Sequence, residues 1–222
     1  MKTTIALDVY GTLIDPFGIT GGIREFVPDK AETFAQLWRN KQLEYLFRRG
    51  LMGAYKDFAA CTAEALEFTC DSLRVALTDT AKRSLLDRYR ELPTYPDVPG
   101  VLQQLKISGY RVFAFSNGQP DDLRDLLAHA GLNVALDGIV SVHEVRSFKP
   151  DPAVYDYFLD ATESLAERTW LVSSNAFDII GAAARGWRTV WVQRSDEVVF
   201  DPWGIEPTAI VHELGELVGI VN

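Results

Sequence analysis

Two kinds of hydrophobic pattern divide the chain. Residues 3–7 form a short apolar run that predicts a buried β-strand. From residue 31 to residue 51 the apolar side chains recur at helical spacing, and the segments 55–68 and 81–92 continue in the same way. Because no strand pattern interrupts these segments, we expect a helical insertion between about residues 15 and 93.

A different pattern begins after the proline-rich stretch 93–100, where strands and helices alternate. We expect strands at 111–115, 138–142, 169–172 and 189–192, helices at 121–130, 152–161 and 177–185, and a closing pair of segments at 209–211 and 214–220. Alternation of this kind predicts an α/β fold, in which a Rossmann-like, doubly wound parallel sheet carries helices on both faces. The expected domains are a core formed by residues 1–14 and 94–222 and an inserted helical cap at 15–93.

Composition and charge narrow the range of partners. The formal net charge of −9 argues against nucleic acid, because binding a phosphate backbone needs clustered Lys and Arg. An anionic small molecule would need a few local cations to hold it. The apolar stretch before Asp8 is too short for a signal-peptide core, and no apolar run is long enough to span a membrane. Cys61 and Cys70 are expected to be free buried thiols, which fits a cytoplasmic location.

Polar side chains follow several of the predicted strands. Asp8, the pair Ser116 and Asn117, and residues 173–175 each come just after a strand, and Lys149 follows a loop that leaves another one. Sheets of this kind bind ligands beyond the carboxyl ends of their strands. Ser, Asn and Asp are also common in turns and helix caps, so each position alone is weak evidence. Four such segments at one sheet edge favour a functional site.

The segment 8–13, Asp-Val-Tyr-Gly-Thr-Leu, places a carboxylate at the end of a strand. A carboxylate held there can attack an electrophile in line, and carboxylates are established nucleophiles in enzymes. Gly11 permits a tight loop, and Thr12 offers a hydroxyl and an amide beside Asp8. The Asp-x-x-Gly turn alone remains a weak signal.

With these residues in view, the chain resembles the haloacid dehalogenase superfamily. Members of that superfamily have a strand ending in Asp, a Ser or Thr after the second core strand, a Lys often followed by Pro, and a final acidic loop. Asp8, Ser116, Lys149-Pro150 and the loop 173–178 match these elements in order, with a helical segment between the first two. The resemblance covers nearly the whole chain and implies a hydrolase with Asp8 as its nucleophile.

Two positions depart from the phosphatases of that superfamily. Phosphatases carry a second Asp two residues after the nucleophile, which protonates the leaving alkoxide and lends a backbone carbonyl to magnesium; Tyr10 occupies that position here. A metal-binding acid of the last loop is replaced by Ser174. Magnesium prefers carboxylate oxygens, so we expect no metal and no cofactor.

The remaining pattern is similar to the L-2-haloacid dehalogenases. The segments 8–13, 38–45, 116–118 and 173–178 match that subgroup, except that Asn40 stands where Gln is expected and Phe177 where many members have Trp. The resemblance implies metal-independent hydrolysis of a short L-2-haloacid to a 2-hydroxyacid and halide through an aspartyl ester. Halide needs no proton in order to leave, so this chemistry tolerates the loss of an acid at position 10.

The reaction and the resemblance together assign roles in the first step. Asp8 is the expected nucleophile, positioned by a hydrogen bond from Thr12. Arg39 from the cap and Asn117 from the core are expected to stabilise the departing halide. A surface salt bridge is the alternative interpretation of Arg39.

Other side chains are expected to bind the substrate carboxylate and to hydrolyse the ester. Ser116 and neighbouring amides should hold the carboxylate, helped by Lys149, which also keeps Asp8 ionised. Asp178, oriented with Ser173 and Asn175, is the candidate for activating water. An acid in the first turn of a helix is the alternative interpretation of Asp178.

The expected substrate pocket is largely apolar. Tyr10, Leu43, Phe58 and Phe177 are predicted to surround the halogen and carbon chain. Tyr155 matches a tyrosine that the subgroup uses near its site, although a core-facing helical aromatic explains it equally well. Subgroup members are often dimers, so a homodimer is an open expectation.

Two other functions stay open from the sequence. One is a phosphatase of the same superfamily acting on a small metabolite, against which Tyr10 and Ser174 argue. The other is a protein that binds a carboxylate without turnover, against which the retention of Asp8, Lys149 and Asp178 argues. The preferred halogen and chain length are left open.

Overall fold

The computed structural model of the chain describes residues 2–221. Within that range it contains a six-stranded sheet made of β1 (Thr4–Asp8), β2 (Arg111–Ser116), β3 (Gly138–Ser141), β4 (Thr169–Ser173), β5 (Arg188–Val192) and β6 (Ala209–Val211). The strands lie in the order β3-β2-β1-β4-β5-β6, and every neighbouring pair is parallel. The α/β fold expected from the alternating pattern is therefore confirmed.

Helices fall into two groups along the chain. The first group lies between β1 and β2 and comprises α1 (Thr20–Arg24), α2 (Ala31–Leu51), α3 (Phe58–Leu73) and α4 (Asp79–Arg88). The second group flanks the sheet and comprises α5 (Val98–Ile107), α6 (Pro120–His129), α7 (Pro152–Thr162) and α8 (Ala176–Ala184). Short 3-10 helices lie at Pro16–Ile19, Pro28–Lys30, Asn133–Ala135, Val142–Val145, Ala166–Arg168 and Leu214–Gly219. Among residues 2–221, none of the helices is long and apolar enough to cross a membrane.

Strand β1 lies at the centre of the sheet, between β2 and β4. All five of its residues are buried, because helices and loops cover both faces of a parallel sheet. Asp8 is the last residue of this strand, so its carboxylate leaves the core at the edge where the neighbouring strands also end. The buried centre of the sheet thus carries the expected nucleophile.

Helix α5 was missed by the sequence pattern, because prolines in the stretch 93–100 were interpreted only as a break. Pro99 lies in the first turn of α5. A proline there removes only an N–H that has no partner within the helix, so it starts a helix as readily as it ends one.

The two connectors that join α1–α4 to the sheet run side by side. The Asp15 amide donates to the Pro93 carbonyl at 2.9 Å, and the Tyr95 amide donates to the Leu13 carbonyl at 3.1 Å. Gly18 packs so closely on Pro93 that a Cβ atom there would lie 2.4 Å from the proline Cδ. The chain leaves the sheet and returns to it at one place, which supports the predicted division into core and cap; the domain boundaries themselves remain a prediction.

Candidate active site

The carboxyl edge of the sheet brings together most of the residues selected from the sequence. Asp8, Ser116 and Ser173 are the last residues of β1, β2 and β4, and all three are buried. Lys149 lies just before α7, and Asp178 lies in the first turn of α8. The parallel arrangement of strands therefore gathers side chains that are far apart in the sequence.

The Asp8 carboxylate is held by four side chains. Oδ2 accepts hydrogen bonds from Thr12 Oγ1 at 3.0 Å, Ser173 Oγ at 3.2 Å and Asn175 Nδ2 at 2.7 Å. Oδ1 accepts one hydrogen bond, from Lys149 Nζ at 3.2 Å. A carboxylate oxygen has room for about two such bonds. Oδ2 is therefore saturated, whereas Oδ1 keeps a lone pair for chemistry.

The loop after β1 has a backbone shape that suits Gly11. Its φ of +97° lies in the region that residues with a Cβ rarely adopt. Ser174 then fixes this loop, since its hydroxyl donates to the Gly11 carbonyl at 2.6 Å and its amide donates to Thr12 Oγ1 at 2.9 Å. Ser174 thus supports the nucleophile loop in the position where the phosphatases place a metal-binding acid.

Lys149 is almost completely buried, and its ammonium contacts two carboxylates. Nζ donates to Asp178 Oδ2 at 2.7 Å, to Asp8 Oδ1 at 3.2 Å and to the Phe115 carbonyl at 2.8 Å. An ammonium has three N–H groups, and these three acceptors use all of them. The geometry therefore favours the role of balancing charge over the expected role of binding the substrate carboxylate.

Asp178 is fully buried, with one hydrogen bond at each carboxylate oxygen. Besides the bond from Lys149, Oδ1 accepts from the Tyr155 hydroxyl at 2.8 Å. Burial raises the pKa of Asp178 to about 6; Lys149 opposes that rise and the charge of Asp8 adds to it. Tyr155 is thus a partner of Asp178, although it also packs in the core as the alternative interpretation expected.

The oxygens that would hold magnesium in the phosphatases are engaged by nitrogen donors. Asn175 Nδ2 lies 2.7 Å from Asp8 Oδ2 and 3.1 Å from the Tyr10 carbonyl oxygen, and Arg39 Nη2 lies 3.3 Å from the same carbonyl. Hard cations need free oxygen ligands, usually carboxylates. Among residues 2–221, no group of three His, Cys, Asp or Glu side chains could hold a metal ion. These residues do not fit a magnesium site.

Helix α2 carries Arg39 to the sheet edge, where its side chain is buried. Nη1 donates to Gln42 Oε1 at 2.7 Å, and Nη2 donates to the Tyr10 carbonyl at 3.3 Å. Within the described range 2–221, Arg39 forms no ion pair with an acidic side chain. Its charge is therefore uncompensated, which is unlike the surface salt bridge that was the alternative interpretation.

Two polar residues that orient Arg39 were missed from the sequence. Gln42 is fully buried; its Oε1 accepts from Arg39 and from the Tyr89 hydroxyl at 3.0 Å, and its Nε2 donates to Thr62 Oγ1 at 2.5 Å. A signal for Gln42 existed, because it lies one helical turn after Arg39 on the same face. Tyr89 gave no such signal, since only the packing of α4 brings it to this position.

Asn117 and Ser116 each have one group engaged by the backbone. Asn117 Oδ1 accepts from the Lys149 amide at 2.9 Å, so its NH₂ group is the part that can donate to a ligand. Ser116 Oγ accepts from the Gly118 amide at 3.2 Å, which leaves the hydroxyl hydrogen as a donor. Both residues therefore present donors, as expected for groups that bind anions.

The four predicted apolar wall residues separate into different surroundings. Tyr10 stacks on Phe58 with ring centroids 4.7 Å apart, and both line a cavity of about 250 Å³. Leu43 lines a second cavity of about 240 Å³. Phe177 packs edge-on against Phe47 of α2, with centroids 5.0 Å apart. That these four residues together surround the halogen and carbon chain therefore stays a prediction.

Known proteins resemble this chain along nearly its whole length. A family model of haloacid dehalogenase-like hydrolases matches residues 2–186. An (S)-2-haloacid dehalogenase of Pseudomonas putida is 37% identical over 96% of this chain and 95% of its own length. An (S)-2-haloacid dehalogenase of Pseudomonas sp. strain CBS-3 is 41% identical over 84% of this chain and 82% of its own length.

Solved structures agree with these sequence relatives. The L-2-haloacid dehalogenase of Xanthobacter autotrophicus with chloropropionic acid covalently bound has a TM-score of 0.94 and 30% identity to this chain, and the match covers 100% of this chain and 98% of that one. The family model spans far more than half of the residues, and the relatives match in both sequence and fold. The chain belongs to the family of haloacid dehalogenase-like hydrolases.

Proposed function

We propose that this chain hydrolyses short L-2-haloalkanoic acids to 2-hydroxyacids and halide through an ester on Asp8. One observation carries the proposal: Asp8 has one oxygen fixed by three donors and the other free to react, with nitrogen donors in place of a metal. The names of its relatives, (S)-2-haloacid and L-2-haloacid dehalogenases, support the same reaction.

In the first step, Asp8 Oδ1 attacks C2 of the substrate from the side opposite the halogen. The new bond is the ester C–O bond, and the carbon–halogen bond breaks as the halide leaves with its electron pair. Attack from behind inverts C2. Lys149 balances the charge of Asp8, while Arg39 and the Asn117 amide donate to the halide as its charge develops.

The substrate carboxylate needs donors close to Asp8. We assign this role to the Ser116 hydroxyl and to backbone amides of the neighbouring loops, because the N–H groups of Lys149 are all used. The halide is then bound by Arg39 and the Asn117 amide, and the substrate carboxylate is bound by neutral hydroxyl and amide donors. This arrangement suits an acidic protein that must bind an anion.

In the second step, water attacks the Asp8 carbonyl carbon and Asp178 accepts its proton. The carbonyl oxygen of the ester is Oδ2, and it already has donors in Thr12, Ser173 and Asn175. These donors stabilise the negative charge that forms on Oδ2 in the tetrahedral intermediate. The Cγ–Oδ1 bond then breaks as Asp178 returns its proton to the leaving oxygen, so the 2-hydroxyacid departs with the original Oδ1. The second proton of the water is released to solvent when the Asp8 carboxylate reforms.

Some wider expectations belong to the same proposal. We place the protein in the cytoplasm, where reduced thiols such as the free, buried Cys61 and Cys70 are normal. Residues 15–93 act as a cap over the core. Assembly as a homodimer stays a prediction.

Release of halide from a panel of short 2-haloacids tests the function. We expect release from the L enantiomer of 2-chloropropionate, and the same rate with and without excess chelator, because Asn175 engages the oxygens that a metal would need. Activity lost to chelator and restored by magnesium would contradict the metal-independent mechanism. Release of phosphate from phosphate esters would favour the phosphatase, and tight binding without halide release would favour the silent carboxylate-binding protein.

Replacement of Arg39 should reduce turnover far more than stability. Arg39→Ala removes a donor to the halide, and loss of one such donor costs on the order of 10²-fold or more in kcat. Both acceptors of Arg39 keep another donor, since Gln42 retains Tyr89 and the Tyr10 carbonyl retains Asn175. Halide release and the free energy of unfolding should therefore separate in this variant.

Arg48 provides the matched control on the same helix. It is exposed and pairs with Glu44, so Arg48→Ala should keep full activity. A folded Arg39→Ala variant with normal halide release would show that other groups stabilise the leaving halide.

Hydrolysis of the ester should depend on the ionisation of Asp178. With a pKa raised to about 6, its carboxyl is ionised above that pH and can accept a proton from water; below it, this ability is lost. In the ester Asp8 carries no charge, so part of this rise is lost. Ester decay, followed by intact-protein mass after rapid mixing, should therefore slow as the pH falls below about 6. Asp178→Asn should accumulate the ester at every pH.

Asp156→Asn is the control, because Asp156 lies on the surface of α7 and pairs with Arg185. It should leave ester decay unchanged. Rapid, pH-independent decay in Asp178→Asn would remove Asp178 from the role of base.

A further inference from the structure

Arg194, in the loop after β5, joins three parts of the chain that meet beside the active site. Its Nη2 donates to the Thr12 carbonyl at 2.7 Å, and its Nη1 pairs with Asp97 Oδ2 at 2.7 Å. The guanidinium carbon also lies 4.1 Å from the centre of the Tyr95 ring. One side chain thus contacts the nucleophile loop, the connector that returns from the cap, and the start of α5.

These contacts connect Arg194 to the nucleophile through a short chain of bonds. Thr12, whose carbonyl accepts from Arg194, uses its hydroxyl to donate to Asp8 Oδ2 at 3.0 Å. Tyr95, on which the guanidinium packs, donates its amide to the Leu13 carbonyl at 3.1 Å. Arg194 therefore holds both connectors at the point where the cap joins the core.

The ion pair between Arg194 and Asp97 is oriented in an unusual way. Among residues 2–221, Arg194 Nε and Asp97 Oδ1 are both buried and neither has a hydrogen-bond partner. A bidentate pair would use Nη1 and Nη2 for the two carboxylate oxygens of Asp97, and bidentate geometry is the stronger one. The guanidinium forgoes that second bond and donates to the Thr12 carbonyl instead. The orientation of the guanidinium is therefore set by its bond to the nucleophile loop as well as by the ion pair with Asp97.

Two other polar side-chain pairs between cap and core lie away from the loop after β1. Arg90 and Asp122 form a pair 3.5 Å apart, and the Tyr55 hydroxyl lies 2.9 Å from His143 Nδ1. Neither pair includes a residue of the loop after β1. Arg194, in contrast, lines the same cavity of about 240 Å³ as Arg39. It therefore lies beside both the nucleophile loop and the cap cation.

We propose that Arg194 is a positioning residue for the alkylation step, an inference that rests on the function proposed above. Alkylation needs Asp8 of the core and Arg39 of the cap on opposite sides of one carbon atom, so it depends on how the cap is held. Hydrolysis uses Asp8, Lys149 and Asp178, which all belong to the core. Misplacement by about 1 Å can cost about 10²-fold in rate. Thr12, which Arg194 contacts, also serves hydrolysis, but only as one of three donors to Oδ2. Loss of Arg194 should therefore slow alkylation more than hydrolysis.

The test compares Arg194→Gln and Arg194→Lys with Arg185→Gln, with Arg185 chosen because its pair with Asp156 lies on the surface. Single-turnover halide release from 2-chloropropionate gives the rate constant for alkylation, and its amplitude gives the fraction of competent enzyme. In Arg194→Gln the rate constant should fall about tenfold to 10²-fold at full amplitude. Arg194→Lys should recover part of the rate, and Arg185→Gln should match the wild type.

The fraction of chains carrying the ester during turnover separates positioning from a structural defect. If loading of Asp8 slows more than unloading, this fraction, measured by intact-protein mass, should fall in Arg194→Gln. An unchanged fraction, a loss confined to amplitude or to thermal stability, or a normal rate constant would each overturn the proposal. If Arg194→Gln does not fold, the same criteria apply to Arg194→Lys with a smaller loss.

Amide hydrogen exchange tests the role of Arg194 without relying on catalysis, so its result can be distinguished from a failure of the proposed function. A wild-type protein that releases no halide would overturn the function itself. The amides of Asp15 and Tyr95 join the two connectors, and they should still exchange faster in Arg194→Gln than in the wild type or Arg185→Gln. Unchanged exchange at these amides would show that Arg194 does not hold the connectors, whatever the reaction.

Discussion

The ammonium of Lys149, buried between the carboxylates of Asp8 and Asp178, is the interaction on which the rest of the site depends. Two carboxylates this close cannot both stay ionised in a buried place without a cation between them. Lys149 provides it with distances of 3.2 Å to Asp8 and 2.7 Å to Asp178. Removing one partner from a buried ion pair costs about 3–5 kcal/mol, so these three groups act as a unit. Lys149 balances the charge of Asp8, the nucleophile, and Asp178, with its raised pKa, is suited to accept and release a proton.

The second constraint is the replacement of a metal by hydrogen-bond donors. Asn175 joins the Asp8 carboxylate to the Tyr10 carbonyl, and Ser174 fixes the loop between them. A metal would bind Oδ2 as a strong point charge, whereas three neutral donors fix the same oxygen and leave Oδ1 reactive. Since halide leaves without a proton, Tyr10 can close the pocket with an aromatic ring where a phosphatase needs an acid. Burial raises the pKa of Tyr10 above its usual range, which makes it a still poorer acid.

Much of this site could be predicted because parallel strands end at one edge. Asp8, Ser116 and Ser173 close buried strands, so their assembly follows from the fold class alone. The helical insertion was equally visible in the spacing of apolar residues. Helix α5 was not predicted, because Pro99 can start a helix as well as interrupt one.

The supporting residues could not be found in the same way. Tyr89 supports Arg39 through Gln42, and Arg194 joins the connectors, in both cases through contacts between segments distant in sequence. No local pattern distinguishes such residues from ordinary surface or core positions. The occupation of all three Lys149 N–H groups was also invisible in the sequence, because it depends on the Phe115 carbonyl. Sequence patterns therefore identified the reacting groups better than the groups that hold them.

The central claim is that Asp8 itself, and not water, attacks the substrate carbon. A single turnover in heavy-oxygen water with enzyme in excess tests it most directly, because the ester route puts the solvent oxygen into the Asp8 side chain and leaves an old carboxylate oxygen in the product. The account predicts label on the peptide that contains Asp8 and an unlabelled 2-hydroxyacid from the first turnover. An unlabelled Asp8 peptide together with a labelled 2-hydroxyacid would mean that water attacks carbon directly, and Asp8 would no longer be the nucleophile.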